Sequence, residues 1–387
     1  MHLRRFWMAE VERLWKERTV LWLAGVRRSG KTTLCQSLPD VEHFDCELPR
    51  VRRALAEPES FFEEHRGRRV VLDEIHRLDD PAEFLKIAAD HYPEVQVLAT
   101  GSSTLSASRR FRDTLTGRKR TLWLSPMIHA DGLDFDRMGV RHRMLHGGLP
   151  PMFLAERFPE ADFRDWVDGY WAKDLQVLFR LERRDSMEKL LELIFAQSGG
   201  LFAAASLAAP CGVSHTTIQT YLRALEETFV VHVVRPFHSS SSREIVKAPK
   251  VYGFDTGFVC YFRGWDSLRP DDHGILWEHL VLNEIFGTLQ TRAVRYWRDK
   301  SGREVDFVLP VRRGRAVAIE AKWSADAFDA RSLCVFRERY PEGGNLVVAQ
   351  DVGASYTRER GGLKIRFVNL AELPSALRAM QRGAGGA

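Results

Sequence analysis

The octapeptide GVRRSGKT, Gly25 to Thr32, follows the apolar run TVLWLA and precedes the helix-like segment TTLCQSL. Its pattern, G-x-x-x-x-G-K-[ST], suits the cradling of phosphate. Gly25 and Gly30 let backbone N–H groups curl around an anion, and the helix N-terminus adds its positive dipole. Lys31 is then placed to reach the β- and γ-phosphates of ATP, and the Thr32 hydroxyl to ligate Mg²⁺. Arg28, Ser29 and Thr33 complete the expected nucleotide-contact set. A second segment, RRVVLDEIH, is an apolar strand ending in Asp73 and Glu74. Asp73 is expected to hold Mg²⁺ through water and Glu74 to polarise the attacking water, although Asp-Glu at a strand end also serves as a helix cap. The next strand, VQVLATGSS, ends in Thr100, Ser102 and Ser103. Ser102 either senses the γ-phosphate or caps the following helix.

A second constellation lies in GREVDFVLPVRRGRAVAIEAKW, Gly302 to Trp323, where Asp306, Glu320 and Lys322 interrupt two apolar strands. A hairpin centred on Arg313 sets Asp306 opposite Glu320. Alternation places Asp306, Glu320 and Lys322 on one face and Val305, Phe307, Ile319 and Ala321 on the other, against a core. Two such close carboxylates do not both ionise cheaply without a cation. Mg²⁺ between them relieves the repulsion, leaving Lys322 to stabilise a pentavalent phosphate or position water. Upstream, GILWEHLVLNEIFG is an amphipathic helix with Glu278 and Leu282 on one face.

A third segment, Ala205 to Phe237, has the grammar of a helix-turn-helix with a wing. A short helix stops at Cys211-Gly212, Ser214 caps a second helix, and Ile218, Tyr221, Leu222 and Leu225 recur at helical spacing. Its outward residues, His215, Thr216, Gln219, Thr220 and Arg223, suit DNA contact, and equally a packing or oligomer element.

Alternating strands and helices from Val20 to Pro126 predict an α/β fold with a doubly wound parallel sheet. The expected divisions are an ATPase core at 1–130, a helical lid at 131–185, the winged helix at 186–240, a second α/β domain at 241–377 and a disordered tail at 378–387. The 387 residues carry a net charge of +5, with Arg outnumbering Lys, which is compatible with a nucleic-acid partner. Five scattered cysteines without a CxxC pair argue against zinc and disulfides and for a reducing compartment. The N-terminus is too charged for a secretory signal, and no apolar run spans a membrane, so a cytoplasmic location is expected.

The stretch 20–185 resembles the AAA+ ATPases, in particular a bacterial and archaeal group that joins such a module to an uncharacterised C-terminal domain. The matching residues are GKTT at 30–33, LDEI at 72–75, TGSS at 100–103, LTGR at 115–118 and GGLP at 147–150. The resemblance implies a ring, expected to be a hexamer, in which Arg118 serves the neighbouring subunit's ATP, and a turn at Gly148-Leu149-Pro150 that contacts adenine. A lid arginine of the sensor type is not evident. The order helix Glu, strand Asp, Glu-x-Lys resembles the PD-(D/E)XK restriction-endonuclease-like fold, which makes Glu278, Asp306, Glu320 and Lys322 its four active-site positions, three of them metal ligands. Together these imply an ATP-hydrolysing, DNA-acting motor whose nuclease-like domain cuts DNA or only docks it. The alternatives are a nucleotide-gated regulatory or defence switch and an ATP-dependent nuclease.

Overall fold

Five short strands, three of them largely apolar, form the first sheet. The computed structural model describes residues 2–101, 109–135, 139–176, 183–237, 247–311 and 314–382. Among them, β1 (Val20–Ala24), β2 (Glu42–Asp45), β3 (Arg69–Asp73), β4 (Gln96–Thr100) and β5 (Lys119–Trp123) form a parallel sheet in the order β2-β3-β4-β1-β5. All of β1 is buried because both faces are covered. Trp22, Leu72 and Val97 pack with Phe62 and Leu85, whereas Leu21, Val71 and Leu98 pack with Trp7 and Leu14 of the Arg5–Trp15 helix. Inserting β4 between β1 and β3 brings the carboxyl ends of all three together, where parallel sheets bind ligands.

Helices Val140–His146, Pro150–Leu154 and Glu160–Tyr170 follow, the last continuing into a π-helical turn at Trp171–Leu175. The helices Arg184–Ala196, Ala204–Ala208 and His215–Glu227 come next. Ser214 caps the third, its Oγ accepting the Thr217 N–H at 3.1 Å, as its position predicts.

A second sheet then assembles from β6 (Val231–Pro236), β7 (Lys250–Gly253), β8 (Arg295–Arg298), β9 (Glu304–Pro310), β10 (Ala316–Lys322), β11 (Asn345–Ala349), β12 (Tyr356–Arg360) and β13 (Leu363–Val368). Its order is β12-β13-β11-β10-β9-β8-β6-β7. β6 pairs antiparallel with β7 and parallel with β8, so the division expected at residue 240 runs between two hairpin partners.

Two expectations are corrected. Val305 does not share a core with Phe307. β8 pairs Arg295 with Val308 but Trp297 with Val305, so β9 holds one extra residue, a bulge at Asp306 and Phe307. The bulge turns Val305 to the cluster of Val308 and Phe336, while Phe307, Ile319 and Ala321 pack with Trp277 and Tyr252. The chain also stays ordered past 377. A helix runs from Leu373 to Arg382 because Leu373, Ala376, Leu377 and Met380 recur at helical spacing and pack on the core.

The Asp272–Leu289 helix stitches this half to the first. Asn283 Nδ2 donates to the carbonyls of Pro126 (3.1 Å) and Met127 (3.2 Å), and Glu284 accepts the His129 N–H at 2.8 Å. Burial, with the nearby Asp131 charge, raises the Glu284 pKa from 4.5 to about 8. The folded state therefore holds this proton more tightly than the unfolded chain, and the associated stability is lost as pH rises from about 4.5 to about 8. Glu284→Gln mimics the protonated side chain. It is expected to stabilise the fold above pH 8 by a few kcal/mol, at ~1.4 kcal/mol for each pH unit between free and folded values, and to change little near pH 5. Denaturant titrations at the two pH values check this; an equal effect at both would assign Glu284 no role in the pH dependence.

Candidate functional site

The phosphate loop is shaped by its glycines. A Cβ on Gly25 would lie 2.6 Å from the Leu124 carbonyl oxygen, and Gly30 sits at φ +91 with the Pro150 ring against it, 3.6 Å from where a Cβ would stand. The turn containing Pro150 thus borders the loop. Lys31 donates to the carbonyls of Gly25 (2.9 Å) and Val26 (3.1 Å). Burial lowers its pKa, while Glu74, Asp174 and Asp73 pull it back. Thr32 and Thr33 are exposed, Arg28 takes a left-handed conformation at φ 58, and Ser29 is buried with its Oγ unpartnered among the described residues.

Across the sheet, the Thr100 hydroxyl donates to buried Asp73 and accepts the Glu74 N–H at 3.3 Å. Glu74 adopts φ 55, a sparsely populated backbone region that recurs at functional sites. His76 lies 3.0 Å from its carboxylate. That hydrogen bond is the chief reason the Glu74 pKa is lowered, which keeps it ionised and fit to accept a proton. The structure therefore gathers Gly25, Ser29, Gly30, Lys31, Thr32, Asp73, Glu74 and Pro150. Ser102 lies outside the described residues. Arg118 is not gathered: its Nε bonds Asp90 at 2.7 Å, and β5 begins beside Val20, about 17 Å along the strand from Gly25.

In the second sheet, Ile319 pairs with Phe307, so the next step sets Glu320 opposite Asp306. Lys322 Nζ bridges them, 2.8 Å from Asp306 and 2.7 Å from Glu320. Asp306 also accepts the Ala321 N–H at 2.8 Å. Burial opposes ionisation of Asp306, but Lys322, Lys250 and that amide outweigh it and lower its pKa. Glu320 goes the other way, raised by burial and by the Asp306 charge. Asp306 is thus the more readily ionised member of the pair, and Glu320 the one that holds a proton more tightly. Glu320 Oε1 is buried without a partner among the described residues. Glu278 has other direct partners, accepting the Tyr252 hydroxyl at 3.0 Å and lying 3.7 Å from Lys250 Nζ, while burial and, with it, the Asp306 charge raise its pKa. Among the described residues no group of three or more His, Cys, Asp and Glu side chains is placed to hold a metal ion.

Several partners escape sequence reasoning. Lys250 is buried and bonded to Glu304 at 2.7 Å. Its signal, a lone charge opening the run KVYGF, is the same that marks Glu320. Arg4 donates to Asp131 (3.0 Å) and to the Ser29 carbonyl (2.9 Å), bracing the phosphate loop from behind. Asp255 accepts the Gly148 N–H at 2.6 Å and pairs with Arg143 at 3.3 Å, tying the GGLP turn to the residues after β7. No local motif announces either contact.

A family model described as "AAA domain" matches residues 17–131, and two described as domains of unknown function (DUF8612 and DUF4143) match 138–269 and 273–371. Uncharacterized proteins of Mycobacterium bovis and Mycobacterium tuberculosis are 29% identical over 345 residues, covering 85% of this chain and 76% of theirs. Among solved structures, the Walker-type ATPase PABY2304 of Pyrococcus abyssi aligns with TM-score 0.45 and 14% identity, over 68% of this chain and 96% of that one. The Hsp104–ADP complex of S. cerevisiae aligns with TM-score 0.29 and 15% identity, over 59% of this chain and 38% of that one. The match over 17–131 falls on the loop, Lys31, Asp73 and Glu74 that the sheet brings together; this N-terminal module is an AAA-type ATPase domain, and the chain an ATPase.

Proposed function

We propose that the chain couples ATP hydrolysis to work on DNA, as a ring-forming motor whose second sheet carries a nuclease-like centre. In the ATPase site Lys31 binds the terminal phosphates, Pro150 borders the adenine, and Glu74 takes the proton of the attacking water. Thr32 and Asp73 offer the hard oxygen donors that suit Mg²⁺, which when bound neutralises phosphate charge. Ser102 is assigned to the γ-phosphate. Arg118 lies too far along its own strand to meet its own nucleotide, so its role is assigned to a neighbouring subunit.

The observation that carries the DNA reading is the buried group of Asp306, Glu320 and Lys322, with an unpartnered carboxylate oxygen among two acids and an ammonium. Such a group is costly to bury unless it serves chemistry or binding. Asp306 and Glu320 would offer Mg²⁺ their two carboxylates, with Glu278 of the helix as an outer partner; the ion would polarise a phosphodiester, and Lys322 would steady the charge on phosphorus. The exposed side chains of His215, Thr216, Gln219, Thr220 and Arg223 suit a winged-helix contact with DNA. A second reading has its own support. Lys322 already neutralises the pair, as in a DNA-docking fold that does not cut.

ATP hydrolysis measured with and without single-stranded, duplex and branched DNA tests the proposal. Stimulation is expected, falling steeply from low to physiological salt because phosphate contacts dominate. In the same assay Arg118→Ala should bind ATP without hydrolysing it, and mixing it with Lys31→Ala should restore part of the activity. Hydrolysis indifferent to every DNA at low salt would leave the switch as the better account.

A further inference from the structure

Two arginines precede Lys31 in the phosphate loop, and both are held by the lid. Arg28 reaches Asp162 at 3.5 Å. Arg27 lies 3.4 Å from Asp174, and the Trp166 indole N–H donates to the Arg27 carbonyl at 2.9 Å. Asp162, Trp166 and Asp174 belong to one continuous segment, the Glu160–Tyr170 helix and the π-helical turn that follows it. Single π turns inside helices concentrate at functional sites, since the extra residue re-aims a side chain. Here the turn carries a carboxylate only 4% exposed to an arginine 36% exposed. The Asp174 charge bears on Lys31, and the Arg27 charge on both Lys31 and Glu74, so the pair sits within the field of the hydrolytic residues.

We propose that Arg27 is a second phosphate-binding cation of the ATPase site, and that Asp174 is the lid acid it exchanges for the terminal phosphate. The inference rests on the ATPase domain alone and not on the DNA reading. Without nucleotide, Arg27 belongs to Asp174. A triphosphate offers the guanidinium a more highly charged, bidentate partner in the same pocket. Arg27 then turns to the phosphate, and the Asp174 carboxylate faces an anion that repels it, which drives the π turn and its helix away from the closed contact. A diphosphate lacks the terminal group and leaves the pair in place. The exchange thus converts the presence of the γ-phosphate into a lid position, in a chain whose lid shows no sensor-type arginine in its sequence.

Nucleotide affinity of the full chain, titrated separately with ATP and ADP, tests this. Arg27→Ala is expected to weaken ATP about tenfold or more and ADP by less than about threefold, with Arg27→Lys intermediate. Asp174→Asn is expected to tighten ATP about three- to tenfold, since the competing anion is gone, and to leave ADP nearly unchanged. In the double variant the gain from Asp174→Asn should vanish, because Arg27 is no longer there to be released. A purely structural role would move ATP and ADP together and lower thermal stability in proportion. Equal effects on the two nucleotides, or an Asp174→Asn gain that persists without Arg27, overturn the proposal.

Discussion

Lys31→Ala is expected to abolish ATP hydrolysis, and Glu74→Gln to bind ATP yet turn over at least about a hundredfold more slowly. The two losses differ in kind. In this structure the Lys31 ammonium donates to Gly25 and Val26 at 2.9 and 3.1 Å, so it lies folded against the backbone of the loop. Removing it takes away the cation that the terminal phosphates meet, and nucleotide binding itself should fail. Glu74→Gln keeps the shape of the side chain and its neighbourhood with His76. Only the capacity to accept a proton is lost, so ATP should accumulate on the protein unhydrolysed. Titration with a fluorescent ATP analogue separates the two variants, and phosphate release measures turnover. A Glu74→Gln variant that hydrolyses at the wild-type rate would remove Glu74 from the mechanism.

Whether a feature was legible in the sequence depended on how local its cause is. The phosphate loop is written in eight consecutive residues, because the phosphate-cradling pattern is itself local, even though the close approach that requires Gly25 comes from Leu124. The parallel sheet was legible for a similar reason, as β1, β3 and β4 at its centre are short apolar runs. Even the hairpin register that sets Glu320 opposite Asp306 could be read, since the turn between β9 and β10 fixes it. The β9 bulge could not. It arises from pairing with β8 on the other side, and periodicity within one strand says nothing about its neighbours. The Arg4–Asp131 pair and the Asp255–Gly148 bond join residues more than a hundred positions apart, and nothing in either local pattern points to the other. Lys250 is intermediate: its position as a charge in an apolar strand was visible, but its partners Glu304 and Glu278 come from two other elements.

The group of Asp306, Glu320 and Lys322 gives the second large effect, because the role of Lys322 can be separated from that of the carboxylates. Lys322→Ala removes the ammonium that lies within 3 Å of both acids. Breaking a buried pair in this way costs about 3–5 kcal/mol when the remaining charge has no other partner. If the acids form a cation site, Mg²⁺ or Mn²⁺ should replace the lost charge, and the melting temperature of Lys322→Ala should rise with added ion far more than that of the wild type. DNA cleavage should be lost all the same, since the ion replaces the charge between the acids but not the ammonium near the phosphate. Asp306→Ala should lose both cleavage and the ion response while ATP hydrolysis continues, and Glu278→Ala should weaken the response less, because Glu278 is already engaged by Tyr252 and Lys250. The docking reading predicts a different pattern. There Lys322 only neutralises buried acids, Lys322→Ala is destabilised with or without divalent ions, and Asp306→Asn is tolerated, because its remaining oxygen can still accept the Ala321 N–H. A wild type that cuts DNA alongside an equally active Asp306→Ala would defeat the catalytic assignment. An ion response in Lys322→Ala that disappears with Asp306→Ala would establish the metal site even before any substrate is known.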